Sequence, residues 1–400
     1  MDSSPFSALL TKAVHSGDTR QVPNGLPTAT PIYSAVTFTY DSMADMDRAF
    51  SGEIDGYVYT RHGNPTVAAF ERTMLALEGG AGACAFGSGM AALHAALVAC
   101  ELRPGSTVIA SQDLYGATLN LLLKIFDLFG VRTVLADFSD TAQLSEIARK
   151  EKPRALVAET ISNPLLKVCD LDAVSKIAHD SGARFLVDNT FATPCLTRPL
   201  EHGADFVVHS ATKYISGHAT ATGGIAICRE PQDHAALVQI MKLVGGILGP
   251  WEAHELARGL QTLPLRFERQ CLNARRIADA LSRNKRVQRV YYPAACETPD
   301  RLARILQPPY AGALVSFAVA DDTRDAAFRF MDSLKLCVRA TSLGDVFTTA
   351  LHPATASHRD LPPARRQKLG VTDGLVRISA GIENPDDILA DLEQALKASA

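Results

Sequence analysis

The chain has 400 residues, of which 21% are charged and 47% hydrophobic, and its formal net charge is −3. That length exceeds one ordinary core and predicts two or three structural units. The balanced charge gives no electrostatic basis for binding nucleic acid or an anionic membrane, and no apolar run reaches spanning length. The eight cysteines are scattered, without CxxC or zinc-like spacing. No metal site is expected from them, and they fit a reducing cytoplasm better than a disulfide framework. The first residues lack a basic stretch followed by an apolar core, so a secretory signal is not expected.

Residues 1 to about 57 have little periodicity and contain Pro23, Gly25, Pro27 and Pro31. They read as an extended arm rather than a compact unit. Gly56-Tyr57-Val58-Tyr59-Thr60-Arg61-His62-Gly63-Asn64-Pro65-Thr66 follows, and a helix is expected over 65–77 up to Gly79-Gly80. Ala85-Phe86-Gly87-Ser88-Gly89-Met90 then joins a short strand to a run of helix formers. Such a helix N-terminus is poised for an anion, with the Gly89 and Met90 N–H groups facing it. A strand over 107–110 leads to Gln112-Asp113-Leu114-Tyr115-Gly116. An amphipathic helix is expected over 119–130, a strand over 131–135 and a helix over 141–150. The apolar strand 155–159 runs into Thr160-Ile161-Ser162-Asn163-Pro164, and a helix over 171–181 follows.

Two buried-strand patterns, 183–187 and 205–209, both end in polar residues. The first ends at Asp188 and the second runs into Ser210-Ala211-Thr212-Lys213. A lysine at a strand exit beside two hydroxyls suits an imine to an aldehyde cofactor. The Ser210 and Thr212 hydroxyls can take phosphate oxygens, and the amine condenses with the carbonyl. A carboxylate about 25 residues earlier suits a pyridinium nitrogen, which together indicate pyridoxal 5'-phosphate (PLP). Taken singly, Asp188 would be a turn or cap residue and Lys213 a solvated charge.

Beyond a further strand at 225–228, helices are expected over 252–262, ending at Leu263-Pro264, and over 265–283. A strand over 314–319, a helix over 323–334 and a terminal helix over 386–399 complete the reading. Two more segments stand out, Thr341-Ser342-Leu343-Gly344-Asp345-Val346-Phe347-Thr348 and Leu375-Val376-Arg377-Ile378-Ser379. The alternation of strands and helices from about 61 to 251 argues a mostly parallel sheet, with ligands at strand ends.

From about residue 30 to 389 the chain resembles the Cys/Met-metabolism, or transsulfuration, family of PLP enzymes. The segments VDNTFATP and HSATKYISGH are similar to its two central signatures. The resemblance implies an α/β fold of the aspartate-aminotransferase-like type I, with a mostly parallel central sheet and a smaller α+β C-terminal domain. It implies an arm over 1–60 contacting a neighbouring subunit, a PLP-binding domain over 61–255 and a C-terminal domain over 256–400. It further implies a homotetramer built from two dimers, with Tyr59 and Arg61 reaching the cofactor phosphate of the adjacent subunit. Ser88, Gly89 and Met90 match its phosphate loop. Tyr115 would stack on the pyridine ring and act as an acid toward the leaving group. Asn163 would donate to the phenolic oxygen, Asp188 would hold the ring nitrogen, and Lys213 would carry the cofactor. Ser342 and Arg377 would meet the substrate carboxylate, for which a forked guanidinium is the expected clamp.

The implied reaction is γ-elimination on a methionine-like amino acid, giving 2-oxobutanoate, ammonia and a thiol. The alternative is γ-replacement on an O-acylhomoserine. Cystathionine γ-elimination and transamination rank lower. Phe347 stands where many cystathionine-handling relatives carry glutamate, and an apolar ring cannot pair with a distal ammonium. Ala117 stands where methionine γ-lyases usually have cysteine, which weighs against a strict methionine lyase. Ala219-Thr220 lacks the acidic residue many members carry, as sulfhydrylase relatives often tolerate.

Overall fold

A computed structural model of the chain describes residues 7–16 and 27–398. Pro23 and Gly25 of the expected arm lie outside the described residues. Seven strands form the larger sheet: β1 (Gly82–Phe86), β2 (Thr107–Ser111), β3 (Arg132–Ala136), β4 (Ala155–Glu159), β5 (Arg184–Asp188), β6 (Phe206–Ser210) and β7 (Gly224–Cys228). Their order is β1-β7-β6-β5-β4-β2-β3. Only β7 runs against its neighbours, pairing antiparallel with both β1 and β6. The expected mostly parallel sheet is present, and strand limits differ from the sequence reading by a residue or so.

Each of these strands is five residues long, and all but β1 carry branched aliphatic side chains. Alternation sends successive residues to opposite faces. Ile109, Leu156, Val187, Val207 and Ile225 enter one apolar core. Val108, Val157, Leu186, Val208 and Ala226 enter another on the opposite face. Both faces of the sheet are therefore buried except at the edge strand β3, which is why the inner strands read as continuous apolar runs.

A smaller sheet contains β8 (Val287–Tyr291), β9 (Leu314–Val319), β10 (Val338–Arg339), β11 (Thr349–Leu351) and β12 (Leu375–Ser379), in the order β10-β11-β12-β9-β8. It has its own core, built on Phe317, Phe330, Val376 and Ile378. One helix, Pro250–Ser282, connects the two sheets and runs through the expected division at 255/256.

That helix corrects the reading that a break occurs at Leu263-Pro264. Proline in a helix interior removes one backbone donor and crowds the preceding turn. Here Leu256, Leu260, Leu263 and Phe267 are all fully buried, so tertiary packing holds the helix through the proline. Arg266 supports the turn, donating from Nη2 to the Gly259 carbonyl at 2.7 Å and from Nε to Thr262 Oγ1 at 3.0 Å.

The segment expected as one amphipathic helix over 119–130 is instead an α-turn (Gly116–Asn120), a π-helical stretch (Leu121–Phe126) and a 3-10 turn (Asp127–Phe129). The arm is not wholly extended. It holds two short helices, Ser7–His15 and Met43–Ser51, and the first packs against helices Pro65–Glu78 and Pro250–Ser282. Among the described residues, no helix is long and apolar enough to cross a membrane.

Candidate active site

The parallel strands deliver Glu159, Asp188 and Ser210 to the same end of the sheet, at the C-termini of β4, β5 and β6. Loops leaving those ends and the N-terminus of helix Gly89–Ala99 enclose a cavity of about 490 Å³. Every site residue expected from the sequence lines it except Tyr59, Arg61 and Ser342. Ser342 still reaches the site, because Lys213 Nζ donates to its Oγ at 3.2 Å.

One end of the cavity is built for an anion. Ser88 is the N-cap of helix Gly89–Ala99, with extended backbone, and its Oγ accepts from the Ala91 N–H at 3.1 Å. The remaining first-turn N–H groups have no partner within the helix, and the helix dipole favours negative charge there. Two glycines permit this approach. A Cβ on Gly89 would lie 2.8 Å from Ser210 Cβ, and one on Gly224 would run into the Ser88 carbonyl. Ser210 is held in turn by its N–H to Thr190 Oγ1 at 2.8 Å. Thr212 Oγ1 accepts from the Gly223 N–H at 3.0 Å and donates to the Gly223 carbonyl at 3.2 Å. Its proton is therefore committed to the loop, and a phosphate oxygen would draw it only after rotation.

Asp188 lines the cavity and accepts from the Thr190 N–H at 2.9 Å. Burial raises its pKa, while the Thr190 bonds and His209 oppose the rise. A buried carboxylate without a cationic partner is costly, and a pyridinium N–H in the cavity would relieve that. Lys213 faces the same space. Burial lowers its pKa first and Arg377 second, against Asp345. The neutral, nucleophilic amine is thus reached at a lower pH than for a solvated lysine.

Arg377, on β12, is 2% exposed and lines the cavity from the smaller sheet. Its Nη1 donates to Asn163 Oδ1 at 2.8 Å and its Nη2 to the Ser342 carbonyl at 3.5 Å, while Nε has no partner. Burial lowers its pKa to about 10, so it remains a cation at neutral pH. A buried guanidinium bonded only to neutral groups calls for a carboxylate. Because Asn163 gives its oxygen to Arg377, its amide nitrogen is the group left for an acceptor in the cavity. The donor set thus fits PLP with an amino acid: an anion cradle, a carboxylate, an amine and a guanidinium around one space.

Tyr59 and Arg61 stand apart. Both are exposed, Arg61 Nη1 donates to the Lys242 carbonyl, and the guanidinium lies 5.6 Å from the Tyr59 ring centroid. Phe347 is half-buried and does not line the cavity, whereas Thr341 does. The side chain set against a distal ammonium in the sequence reading therefore lies off the cavity wall. The sequence reading also missed Glu159, Thr190 and Phe191, all of which line the cavity. Glu159 carried a usable signal, since it ends β4 just as Asp188 ends β5. Thr190 and Phe191 had only their place two and three residues beyond Asp188.

A family model described as Cys/Met metabolism PLP-dependent enzyme matches residues 10–397. The chain is 42% identical to an L-methionine gamma-lyase of Fusobacterium nucleatum over 395 residues, covering 98% of each protein. It is 39% identical to an O-succinylhomoserine sulfhydrylase of Pseudomonas aeruginosa, covering 98% of this chain and 96% of that one. Among solved structures, cystathionine gamma synthase from Xanthomonas oryzae pv. oryzae superposes with a TM-score of 0.91 at 35% identity, covering 98% of each chain.

Proposed function

Because the chain belongs to the Cys/Met-metabolism family of PLP-dependent enzymes, we propose that it catalyses γ-elimination on a methionine-type amino acid, releasing 2-oxobutanoate, ammonia and a thiol. One observation carries the choice of substrate. The charged side chains lining the cavity are Glu159, Asp188, Lys213 and Arg377. The rest of the wall includes Met90, Leu93, Ile161, Phe191 and Leu343. With Arg377 assigned to the α-carboxylate and Asp188 and Lys213 to the cofactor, this chain's own wall offers no further cation for a second carboxylate. An uncharged thioether suits such a wall better than cystathionine or a succinyl ester.

PLP, when bound, supplies the electron sink for charge developing at the substrate α-carbon. Asp188 would hold its ring nitrogen, Asn163 its phenolic oxygen, and the N-terminus of helix Gly89–Ala99 with Ser210 its phosphate. Arg377 orients the substrate through its α-carboxylate. Lys213 Nζ would take the proton from Cα and, once it has given that proton up, the one from Cβ. The Tyr115 hydroxyl donates to the departing sulfur. Tyr115 is 41% exposed at the cavity mouth, which suits a ring that seats against a bound cofactor.

The companion reading is γ-replacement on an O-acylhomoserine, supported by the full-length similarity to a sulfhydrylase. A substrate panel separates the two. Release of 2-oxobutanoate from L-methionine without added thiol is the expected result. Turnover confined to an O-acylhomoserine, with thioether formed only when thiol is present, would replace it.

The same proposal takes 1–60 as an arm that reaches a neighbouring subunit beyond the helix Ser7–His15, which packs on its own chain, with 61–255 as the cofactor-binding unit and 256–400 as the smaller unit, in a cytoplasmic homotetramer. Tyr59 and Arg61 are absent from the wall of their own cavity and exposed, which supports service to the partner's phosphate. Arg61→Ala is expected to weaken PLP retention about tenfold, the size of one charge-assisted hydrogen bond of about 1.5 kcal/mol. An unchanged dissociation constant for PLP would remove the shared-site assignment.

A further inference from the structure

Glu159 has no part in the chemistry above, yet it occupies a central place in the cavity wall. It is the last residue of β4 and sits in register with Asp188 on the neighbouring parallel strand. Its Oε1 accepts from the Tyr115 N–H at 2.7 Å, and its Oε2 accepts from the Asn163 N–H at 3.2 Å. Those two residues begin different loops, one after β2 and one after β4. Tyr115 sits at the N-terminal cap of the short helix Gly116–Asn120, where no side chain caps it. Asn163 in turn braces Arg377 through its Oδ1. A single carboxyl group therefore ties the exposed aromatic residue at the mouth to the amide that holds the guanidinium.

We propose that Glu159 is a positioning residue for the reaction: by clamping the backbone N–H groups of Tyr115 and Asn163 with its two oxygens, it sets the aromatic ring and the Asn163–Arg377 pair in register around the bound cofactor and substrate. This rests on reading the cavity as the PLP site. Hydrogen bonds from two N–H groups to one carboxyl group give a fixed spacing that one oxygen cannot. The charged surroundings are consistent. Burial first, then Asp188 and Asp113, hold the Glu159 carboxyl well above its ordinary range, while the two N–H bonds work against them. Arg377 is the cation that feels its charge. Asp113 is itself tied to Lys167 Nζ at 2.9 Å. Removing Glu159 thus frees the Tyr115 and Asn163 N–H groups and loosens two loops together.

The test uses Glu159→Gln and Glu159→Ala in the full-length PLP-loaded enzyme. The glutamine has nearly the same shape, but its amide nitrogen must face one of the two N–H donors, so one clamp bond is lost. The alanine loses both. Expected are a weakened visible circular dichroism of bound PLP, a dissociation constant for PLP about tenfold higher, and a KM for the amino acid also raised. kcat is expected to fall by about 10²-fold in the alanine variant, the size of an ångström-scale misplacement, and by less in the glutamine variant. A variant with a lower melting temperature but wild-type dichroism, PLP affinity, KM and kcat would overturn the proposal and leave Glu159 a structural residue. Should the alanine variant fail to fold, wild-type values in the glutamine variant overturn it equally. Absence of the cofactor's visible band in the wild-type protein would be a different failure, that of the cavity assignment itself.

Discussion

Replacing Lys213 with alanine is expected to lower turnover by about 10⁴-fold, the upper range for loss of a positioned general base. The same change is expected to remove the visible band of a cofactor bonded covalently to the protein. Both expectations follow from one side chain. Lys213 Nζ faces the cavity, its pKa is lowered by burial and by Arg377, and Ser342 Oγ holds it at 3.2 Å. The pH dependence follows in sign. A lowered lysine pKa puts the uncharged amine within reach at a lower pH than for a solvated lysine, so reconstitution of the apoenzyme with PLP should speed up as pH rises and level off below the range of a solvated lysine. Spectrophotometric titration and stopped-flow reconstitution measure the two quantities. A retained covalent band in the alanine variant would move the anchor to another amine.

Replacing Arg377 with alanine is expected to lower kcat/KM for the amino acid by 10²- to 10³-fold, with most of the change in KM. The magnitude is that of truncating one member of a buried, hydrogen-bonded charge pair, about 2–5 kcal/mol. Three contributions act together. On the proposed assignment the substrate α-carboxylate would lose its fork, while Asn163 Oδ1 loses the donor that orients its amide and the Ser342 carbonyl loses a neighbour. Arg377→Lys keeps the charge but cannot span Asn163 and the substrate with parallel bonds, so it should recover only part of the loss. Steady-state kinetics on L-methionine measure this, with PLP affinity as the control. A loss of PLP binding with unaltered KM would assign Arg377 to the cofactor instead.

Much of the site could be read along the chain because its parts are local patterns. A buried strand followed by polar residues marks where a parallel sheet presents side chains to ligands. Asp188 and Ser210 end such strands, Lys213 follows one, and Ser88-Gly89-Met90 opens a helix after β1. The seven-stranded sheet was legible for the same reason, since strands buried on both faces leave continuous apolar runs. Pro264 misled because propensity is local while the burial that overrides it is not. Leu256, Leu260 and Phe267 tie that helix to the core on both sides of the proline.

The sequence by itself determined the family, the cofactor and the strand-end positions of most groups expected to hold it, because each is carried by a short contiguous motif. Only the tertiary structure decided which groups meet. Arg377 reaches Asn163 across 214 residues and Lys213 reaches Ser342 across 129. Glu159 joins Tyr115 to Asn163, Thr341 lines the cavity while Phe347 does not, and Tyr59 with Arg61 stays outside its own cavity. Such pairings depend on how two sheets are brought together by packing, and no periodicity along one segment records the distance to another.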